Sequence, residues 1–490
     1  MNSRRHLVTA ALVSALAISS VQAETPASVK TRIGDLAFER GFPTEDTTRK
    51  VFDEIDYQRA VQAFLWAYPA VSFQAIQIGL KRDLDVDLNE MMIADNFADP
   101  HGLWLTANDT TIYAMVNVDL GKSGPMVVEI PPGAIVGILE DYWQRSISDV
   151  GLPGPDAGKG GKFLILPPGY KGAVPQSGYY VLQGTMNNYN AMVRGLVMND
   201  DKPGAVQMVK RVKVYPLSES TNPKPMKIVS MSGKVMHTLP PMGIKFWELL
   251  STFVNNNPVQ DSDLFYMGML KPLGIEKGKE FKPDARQKAI LEEAARIGDA
   301  MGRVMLFEGP DRFRQPEPFP GTKWHWVFQV NPVQKTDTYG QVDERLHYTY
   351  GAIYTTPALG RMVAGPGGNY VQAFKDKNGN RFDGGKSYRL HVPADAPAEA
   401  FWSLTLYDTA TRSMIQNSIN DSARSSLDKL KTNADGSLDL HFGPKSPAGM
   451  ESNWIQTIPG KGYYPMMRFY SPKAGLFDGT WKLPDIEPVK

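Results

Sequence analysis

The chain has no cysteine among its 490 residues, and this absence removes several kinds of chemistry. Without cysteine there are no disulfides, thiol nucleophiles, thiolate-bound zinc ions or cysteine-held iron–sulfur clusters. The sequence also lacks His-Glu-x-x-His, any histidine pair spaced for a helical metal site, and the Gly-x-Ser-x-Gly motif of α/β-hydrolases. We therefore predict no metal site, and the sequence leaves the cofactor unknown.

A large excess of one charge is missing as well. The chain has 53 basic and 52 acidic residues, which gives a formal net charge of +1. Such a balance provides no electrostatic reason to bind nucleic acid or an anionic membrane surface. We therefore predict no nucleic-acid partner, and the sequence leaves a homo-oligomer open.

The N-terminus has an apolar run that is short for a membrane span. Arg4 and Arg5 precede the uncharged stretch 7–21, and Val21-Gln22-Ala23 has small residues where a signal peptidase requires them. A bilayer-spanning helix needs roughly 20 strongly apolar residues, which this run does not supply. The pattern predicts a signal peptide over 1–23 and a periplasmic or secreted protein with no stable membrane anchor after cleavage. Because the two arginines also fit the twin-arginine pattern, that route and general secretion both stay open.

Proline and glycine are abundant, with 37 and 44 residues, and aromatic residues make up 10% of the chain. This composition favours a mainly β protein that is rich in turns. Between 104 and 215, short β-like runs alternate with turns such as Pro131-Pro132-Gly133. That texture predicts a small antiparallel β-sandwich.

Helical periodicity occurs in two places. A helix is expected to begin near Asp56 and to kink or end at Pro69. A second helix is expected to follow Asp284, with one apolar face formed by Ile290, Ala294, Ile297, Met301 and Met305. Beyond about residue 369, strands return, because 388–392 and 438–442 alternate apolar with polar residues.

These changes of period predict the domain organisation. It consists of a signal peptide at 1–23, an N-terminal arm with helices at 24–103, a β-sandwich at 104–230, a helical or mixed middle domain at 231–365, and a C-terminal β-sandwich at 366–490.

Two sets of motifs resemble a pair of bacterial domain families. Residues 106–113, Thr-Ala-Asn-Asp-Thr-Thr-Ile-Tyr, together with 166–170, Leu-Pro-Pro-Gly-Tyr, resemble domain of unknown function 1254. Residues 401–408, Phe-Trp-Ser-Leu-Thr-Leu-Tyr-Asp, together with 468–470, Arg-Phe-Tyr, resemble its usual C-terminal companion, domain of unknown function 1214. The resemblance implies an immunoglobulin-like β-sandwich, a helical middle domain and a jelly-roll-like C-terminal sandwich. It implies no catalytic residue.

Three titratable residues are candidates for acid–base catalysis, namely Asp109, Asp141 and His325. His325 lies between Trp324 and Trp326, and flanking indoles can desolvate an imidazole and bring its pKa near neutrality. The alternative is a strand histidine whose ring is satisfied by a backbone carbonyl.

The candidate ligand-binding residues combine amides, guanidinium groups and broad aromatic faces, which together suit a polar organic ligand. They are Asn108, Tyr113, Trp143, Arg145, Trp402, Tyr407, Asn453, Trp454 and Arg468. We expect them to meet in a cleft between the β domains, with Arg145 and Arg468 on opposite sides of a ligand carboxylate. The alternative is that the amides shape turns and the aromatic rings fill sandwich cores.

The sequence therefore predicts an exported envelope protein that acts on or binds a polar small molecule or glycan-like ligand. If it is an enzyme, a hydrolase or lyase is favoured. The alternative is a non-catalytic ligand- or partner-binding protein. A cleft with two carboxylates, or with a histidine and a carboxylate, favours catalysis. An aromatic cleft without such a pair favours binding.

Overall fold

The computed structural model of the protein describes residues 26–313 and 316–489. The predicted signal peptide lies outside these described residues. The chain divides into two compact units, and the division falls after Asp56. In the described part of the first unit, an antiparallel sheet contains β1 (Ser28–Thr31), β2 (Gly34–Glu39) and β3 (Phe42–Pro43).

The first long helix, α1 (Glu45–Leu84), begins earlier than expected and continues through Pro69. Every residue from 63 to 76 is buried, so packing along this stretch outweighs the roughly 3 kcal/mol that a proline costs inside a helix. Among the described residues, α1 is the helix with the length and apolar composition to span a bilayer, yet 89% of its apolar window is buried inside the protein. Such burial is typical of a core helix in a globular protein.

After α1, the second unit continues with two larger sheets, whose strands have the ranges given at the end of this paragraph. The six-stranded sheet has the order β14-β4-β6-β12-β8-β9, and the four-stranded sheet has the order β11-β10-β7-β13. All pairs are antiparallel except β4 with β14 and β10 with β11. The elements of this region are β4 (Met91–Ala94), β5 (Gly102–Leu103), β6 (Thr111–Asp119), α2 (Leu120–Ser123), β7 (Met126–Ile130), β8 (Ile135–Asp141), β9 (Ser146–Gly151), β10 (Gly161–Leu166), β11 (Tyr180–Gln183), β12 (Asn188–Leu196), α3 (Lys202–Lys210), β13 (Lys213–Pro216), β14 (Ile228–Ser230) and β15 (Met236–His237).

The helical middle segment follows. It comprises α4 (Ile244–Asn256), α5 (Leu264–Leu270), α6 (Ala285–Phe313), β16 (Trp324–Trp326), α7 (Val342–Gly351) and α8 (Pro357–Gly360). As expected, α6 starts after Asp284, whose carboxylate accepts a hydrogen bond from the backbone amide of Gln287 at 2.8 Å.

The buried face of α6 differs in part from the predicted one. Ile297 and Met301 are exposed, whereas Gly298 and Gly302 are buried. The rings of Phe64 and Tyr350 pack directly on the backbone at these two glycines, because a Cβ there would lie 2.3 and 2.4 Å from ring carbons. Small residues therefore form the packed stripe, and a search for large apolar residues misses it.

The C-terminal segment forms two sheets. A five-stranded sheet has the order β16-β17-β23-β19-β20, and a four-stranded sheet has the order β22-β21-β18-β24. Both predicted alternating strands are present, with Tyr388, Leu390 and Val392 buried between more exposed neighbours in β18. The elements are β17 (Gly368–Ala373), β18 (Ser387–Val392), β19 (Ala398–Asp408), β20 (Ala423–Ser425), β21 (Leu438–Gly443), β22 (Trp454–Gln456), β23 (Tyr463–Pro472) and β24 (Glu487–Val489).

The predicted fold class, β-rich segments on both sides of a helical one, is confirmed, although helix and strand each account for 28% of the structure. The two C-terminal sheets share one apolar core. The larger core extends from α1 and the six-stranded sheet to Tyr370, Tyr407 and Tyr464 of the C-terminal segment. The five-stranded sheet therefore contributes to both cores. The immunoglobulin-like and jelly-roll-like topologies and the domain boundaries stay predictions.

Candidate functional site

Four of the predicted residues meet where the six-stranded and five-stranded sheets approach each other. They belong to a buried group that we call the arginine–tyrosine cluster, which consists of Asn108, Tyr113, Arg194, Tyr370, Tyr407, Arg468 and Tyr470. Tyr113 on β6 is the cross-strand partner of Arg194 on β12. Tyr370 on β17 is the cross-strand partner of Arg468 on β23. Each sheet therefore contributes one arginine and tyrosine side chains to the same cluster.

Arg468 is fully buried in this cluster. Its Nη1 donates to Thr405 Oγ1 at 3.0 Å, and its Nη2 donates to the Thr106 carbonyl at 3.1 Å and to the Tyr407 hydroxyl. The guanidinium carbon lies 5.1 Å from the centre of the Tyr370 ring. Its Nε has no hydrogen-bond partner, and no carboxylate lies within ion-pair distance among the described residues.

Arg194 is 6% exposed and lies on the other sheet. Its Nη1 donates to the Tyr370 hydroxyl at 3.2 Å, and its guanidinium carbon lies 5.9 Å from the centre of the Tyr470 ring. Within the described chain its Nε also has no hydrogen-bond partner, and it forms no ion pair. Two guanidinium charges are thus buried together, with hydroxyl and carbonyl oxygens as their nearest acceptors.

Asn108 fixes the geometry between the sheets. Its Nδ2 donates to the Tyr113 hydroxyl at 2.6 Å and to the Tyr470 hydroxyl at 3.0 Å. Its Oδ1 accepts from the Thr110 amide at 3.1 Å, which closes a tight turn of the kind that asparagine favours. The turn-forming and site-forming roles of Asn108 are therefore both present.

The tyrosines of the cluster respond to the two arginines. Burial opposes ionisation of Tyr370, but the charges of Arg194 and Arg468 outweigh it and hold the pKa of Tyr370 below the usual tyrosine range. Burial and the neighbouring Tyr370 raise the pKa of Tyr470 well above that range. Tyr370 is therefore the hydroxyl in this cluster that ionises most readily.

A narrow cavity with space for only a few water molecules opens beside Arg194 and Tyr370. Its wall combines several tyrosines with apolar side chains, and its lining contains no histidine or carboxylate. The lining residues include Leu105, Tyr113, Met115, Arg194, Phe328 and Tyr370. Arg468 does not line this cavity itself, but its guanidinium group contacts the ring of Tyr370, which does.

Asp109, the neighbour of Asn108, lines a different cavity of about 1060 Å³. The same polar cavity is lined by Asp421, Arg424 and Asp428, and Arg424 donates to Asp421 at 2.6 Å. Burial, followed by the charges of Asp421 and Asp428, raises the pKa of Asp109 to about 7. Its Oδ1 has no hydrogen-bond partner among the described residues. The predicted acid–base candidate is thus titratable near neutral pH.

A third region, at the end of β8 and in the turn that follows it, contains Asp141, Trp143 and Arg145. Asp141 is buried and accepts from Arg145 Nε at 2.9 Å, so these two charges neutralise each other. Trp143 and Arg145 line a groove of about 1240 Å³. Arg468 does not line this groove, so the structure does not place Arg145 opposite Arg468 across one cavity.

The remaining predicted residues make contacts that hold the fold together and lie away from these cavities. Asn453 uses its amide to hold the backbone of Lys431 and Asp439, and Trp454 donates to the Gly443 carbonyl at 2.9 Å. Trp402 packs in the C-terminal core. His325, on the edge strand β16, lies against the ring of Phe374 with centroids 6.4 Å apart. None of these side chains lines the cavities beside Arg194 or Asp109.

Sequence reasoning missed Arg194, Tyr370 and Glu140. Arg194 stands in the apolar run Ala191-Met192-Val193-Arg194-Gly195-Leu196, and a lone charge inside such a strand is a usable signal. Glu140 is fully buried with one oxygen bonded to the Thr355 amide at 2.6 Å, and burial raises its pKa well above the usual range. Nothing near Glu140 in the sequence distinguishes it from a strand-end carboxylate. Among the described residues, no group of three or more histidine or acidic side chains is arranged to hold a metal ion.

Comparisons with known proteins agree with the motifs. Residues 88–216 match the model of a protein family of unknown function, DUF1254, and residues 367–474 match another, DUF1214. No curated protein matches the chain. The crystal structure of the VPA0106 protein from Vibrio parahaemolyticus is 19% identical with a TM-score of 0.56, and the match covers 89% of this chain and 100% of that one. At this identity the likeness shows the fold alone.

An uncharacterized protein from Burkholderia cenocepacia is 10% identical with a TM-score of 0.39, over 90% of this chain and 96% of that one, a likeness too weak to support an argument. The arginine–tyrosine cluster draws Asn108, Tyr113 and Arg194 from the first matched segment and the other members from the second. The chain thus carries a DUF1254 segment followed by a DUF1214 segment, which confirms the predicted resemblance.

Proposed function

We propose that the protein binds a small organic acid in the cavity beside Arg194 and Tyr370. The observation that carries the proposal is the burial of two guanidinium groups, Arg194 and Arg468, without a carboxylate in contact among the described residues. A buried charge without a counter-charge costs several kcal/mol, so an anion in the cavity would stabilise the cluster. The apolar side chains of the lining suit the body of the ligand, and Arg194 suits its carboxylate.

Arg412 shows how this fold treats a buried arginine that needs no ligand. It is 6% exposed, and its Nε and Nη1 donate to the carbonyls of Tyr350 and Ala410 at 2.9 and 3.1 Å. Tyr350 in turn donates to Asp299 at 2.6 Å, which supplies a nearby negative charge. Arg468 also has a carboxylate, Asp109, close enough for their charges to interact, whereas Arg194 has no such relay, and this contrast supports a ligand as the missing partner of Arg194.

Binding is favoured over catalysis in this cavity, because its lining contains no histidine or carboxylate to act as an acid–base pair. Tyr370 ionises most readily of the cluster, so the negative charge of a bound carboxylate beside it would raise its pKa.

The test uses the smallest carboxylates and their uncharged isosteres, because the cavity has space for only a few water molecules. Acetate is expected to raise the melting temperature and to raise the pH at which the first tyrosinate absorbance appears, whereas acetamide is expected to do neither. Arg194→Met should abolish the acetate effect, and Arg412→Met serves as the control for loss of a buried arginine. Equal effects of acetate and acetamide, or acetate binding that survives Arg194→Met, would contradict the proposal. Mass spectrometry of acids released from the natively purified protein identifies the natural ligand.

A second candidate function rests on Asp109. A carboxyl group with a pKa of about 7 that lines an open polar cavity has the protonation behaviour of a general acid or base. We propose hydrolysis or elimination on a polar substrate as the reaction class. A panel of nitrophenyl esters and glycosides tests this, with turnover expected to change through pH 7 and to be lost in Asp109→Asn. Turnover that Asp109→Asn leaves unchanged would remove Asp109 from the reaction.

We also propose that the protein works outside the cytoplasm, on the strength of the charge-free run 7–21 and the small residues before position 24. Intact-mass analysis of the exported form is expected to show an N-terminus within a few residues of Glu24. Replacement of Arg4 and Arg5 by lysine should stop export by the twin-arginine route and leave general secretion unaffected.

A further inference from the structure

A separate groove of about 1240 Å³ lies away from the proposed organic-acid cavity. Its walls come from the middle of α1, the turn after β8, the α5 region, the loop 333–341 and the start of α7. It shares no lining residue with the cavity beside Arg194.

One wall of the groove consists of three aromatic rings. Trp66 stacks on Tyr266 with centroids 4.7 Å apart and planes 7° apart, and Trp66 also contacts Trp143 with centroids 4.6 Å apart. The two tryptophans are each 3% exposed, so their positions are fixed by packing. The tryptophans therefore present little surface themselves and mainly hold the partly exposed ring of Tyr266 in place, and that ring offers a rigid apolar face for a flat ligand at little entropic cost. Trp143 Nε1 has no hydrogen-bond acceptor among the described residues.

The charge of the groove is unevenly balanced. Arg145 is neutralised by Asp141 at 2.9 Å, but Arg345 donates to the Trp66 carbonyl at 2.9 Å and to Gln334 Oε1 at 3.4 Å without a carboxylate in contact. Asp263 also lines the groove and its charge acts on both arginines, but Lys335 in the same lining leaves an excess of positive charge. The Nε of Arg345 has no hydrogen-bond partner in the described chain. Burial lowers the pKa of Arg345 to about 10, and the charge of Arg145 contributes to the decrease. A further negative charge in the groove would offset both the cost of burying the Arg345 charge and its repulsion from Arg145.

The unused polar groups of this site are donors. Gln334 Nε2 already donates to the carbonyls of Trp143 and Gln144, and Tyr339 donates to Glu344, so these groups are satisfied within the protein. Trp143 Nε1, Arg345 Nε and Arg145 Nη2 are left without a hydrogen-bond partner among the described residues, and each requires an acceptor. An acceptor-only group such as a carboxylate fits them, and sugar hydroxyls, which must also donate, fit less well.

We propose that this groove binds an aromatic carboxylate, whose ring lies along the Trp66, Trp143 and Tyr266 wall and whose carboxylate pairs with Arg345. Exposed apolar side chains at the rim support an occupant larger than a single ring, because Phe265 is 69% exposed and Tyr339 is 53% exposed. The proposal is independent of the organic-acid cavity, since the two sites have different linings.

Isothermal titration calorimetry with naphthoate tests the proposal. Wild-type protein is expected to bind naphthoate and to bind the uncharged naphthamide at least about tenfold more weakly, as loss of a charge-assisted hydrogen bond predicts. Arg345→Gln is expected to weaken naphthoate binding by about tenfold or more. Arg211→Gln, a change at an exposed arginine at the end of α3, is the control and should leave binding unchanged.

Trp143→Phe keeps an aromatic ring but removes the Nε1 donor and part of the indole volume, so its melting temperature is measured beside its binding, and it tests the site even where Arg345→Gln folds poorly. It should weaken naphthoate binding severalfold. Naphthamide that binds as tightly as naphthoate, or galacturonate that binds where naphthoate does not, would overturn the proposal. Naphthoate binding lost in Arg194→Met but kept in Arg345→Gln would assign the ligand to the organic-acid cavity and overturn the proposal for the groove.

Discussion

Arginines buried in this protein differ in how completely their charge is compensated, and this difference predicts opposite effects on stability. When an apolar side chain of similar volume replaces an unpaired buried charge, stability stays the same or increases. When it replaces a buried charge with several hydrogen bonds, the acceptors of those bonds are left unsatisfied and stability falls. In the ligand-free protein, Arg194→Met should therefore leave the free energy of unfolding unchanged or increase it. Arg412→Met should decrease it by about 2–4 kcal/mol.

Urea denaturation of both variants measures the difference. The control is Arg361→Met, because Arg361 is exposed. A loss of stability in Arg194→Met as large as that in Arg412→Met would mean that Arg194 is compensated within the protein, and the argument for a ligand would fail.

Asp109 makes stability depend on pH in a direction that follows from its raised pKa. The folded protein holds the proton up to a pKa of about 7, whereas an unfolded aspartate releases it near about 3.9. The stability contributed by the protonated group is therefore fully present below about pH 4 and is lost as pH rises through 7. Asp109→Asn should be more stable than wild type at pH 8, by at most about 4 kcal/mol before solvent screening reduces it.

Denaturation at pH 5 and pH 8 tests this expectation. Asp337→Asn, a change at an exposed carboxylate, is the control for the loss of one negative charge. An Asp109→Asn variant whose stability advantage is the same at both pH values would contradict the raised pKa.

At the scale of elements, α6 packs through glycine. Gly298→Ala and Gly302→Ala each place a methyl group against a ring, Phe64 and Tyr350 respectively, and overpacking of this kind costs about 1–3 kcal/mol. The gain in helix propensity, about 1 kcal/mol, offsets only part of it. Gly268 in α5 is the matched control, because a methyl group added there would meet nothing within 4 Å and Gly268→Ala should stabilise the protein. Thermal denaturation that shows all three variants stabilised would contradict the close packing of α6.

The same helices show what a single sequence can and cannot predict. Asp284 was predicted as a helix start because the cap is local, and the contact to Gln287 confirms it. The prediction that α1 ends at Pro69 was wrong, because the burial that keeps the helix intact comes from distant segments, and the alternative of a kink there stays a prediction. The predicted face of α6 was right for Ala294, Ile290 and Met305, which pack in or against the core, and wrong for Ile297 and Met301, because glycine has no hydrophobic signal even where rings pack on it.

For the site, the motifs that carry the family resemblance predicted Asn108, Tyr113, Tyr407 and Arg468 as candidates, and the structure brings these four together. Arg194 and Tyr370 were missed, because local periodicity does not show that a side chain of the strand at 188–196 contacts a sheet formed by residues far away in sequence. Asp109 separates from its neighbour Asn108, because Asp109 lines the polar cavity whereas Asn108 is fully buried in the cluster and lines neither cavity. The role of each predicted site residue stays a prediction.

At the scale of the whole molecule, the two family segments depend on each other. Arg468 donates to the Thr106 carbonyl, Tyr407 donates to the Ala107 carbonyl, and Asn108 donates to Tyr470, so three polar contacts join segments about 300 residues or more apart in sequence. The larger apolar core also contains side chains from both segments. Neither segment can satisfy these buried groups alone.

A chain that ends at residue 365 is therefore expected not to fold. It would leave the buried amide of Asn108 and the guanidinium of Arg194 without their acceptors, Tyr470 and Tyr370, and would uncover the apolar face that packs against the C-terminal segment. Near-ultraviolet circular dichroism and calorimetry compare the truncated chain with the full one. The full chain should show one cooperative transition for residues 57 onward, because they form one compact unit. A truncated chain that melts cooperatively, with native-like aromatic signals, would show that the first segment folds alone and that the arginine–tyrosine cluster forms only on later docking of the second.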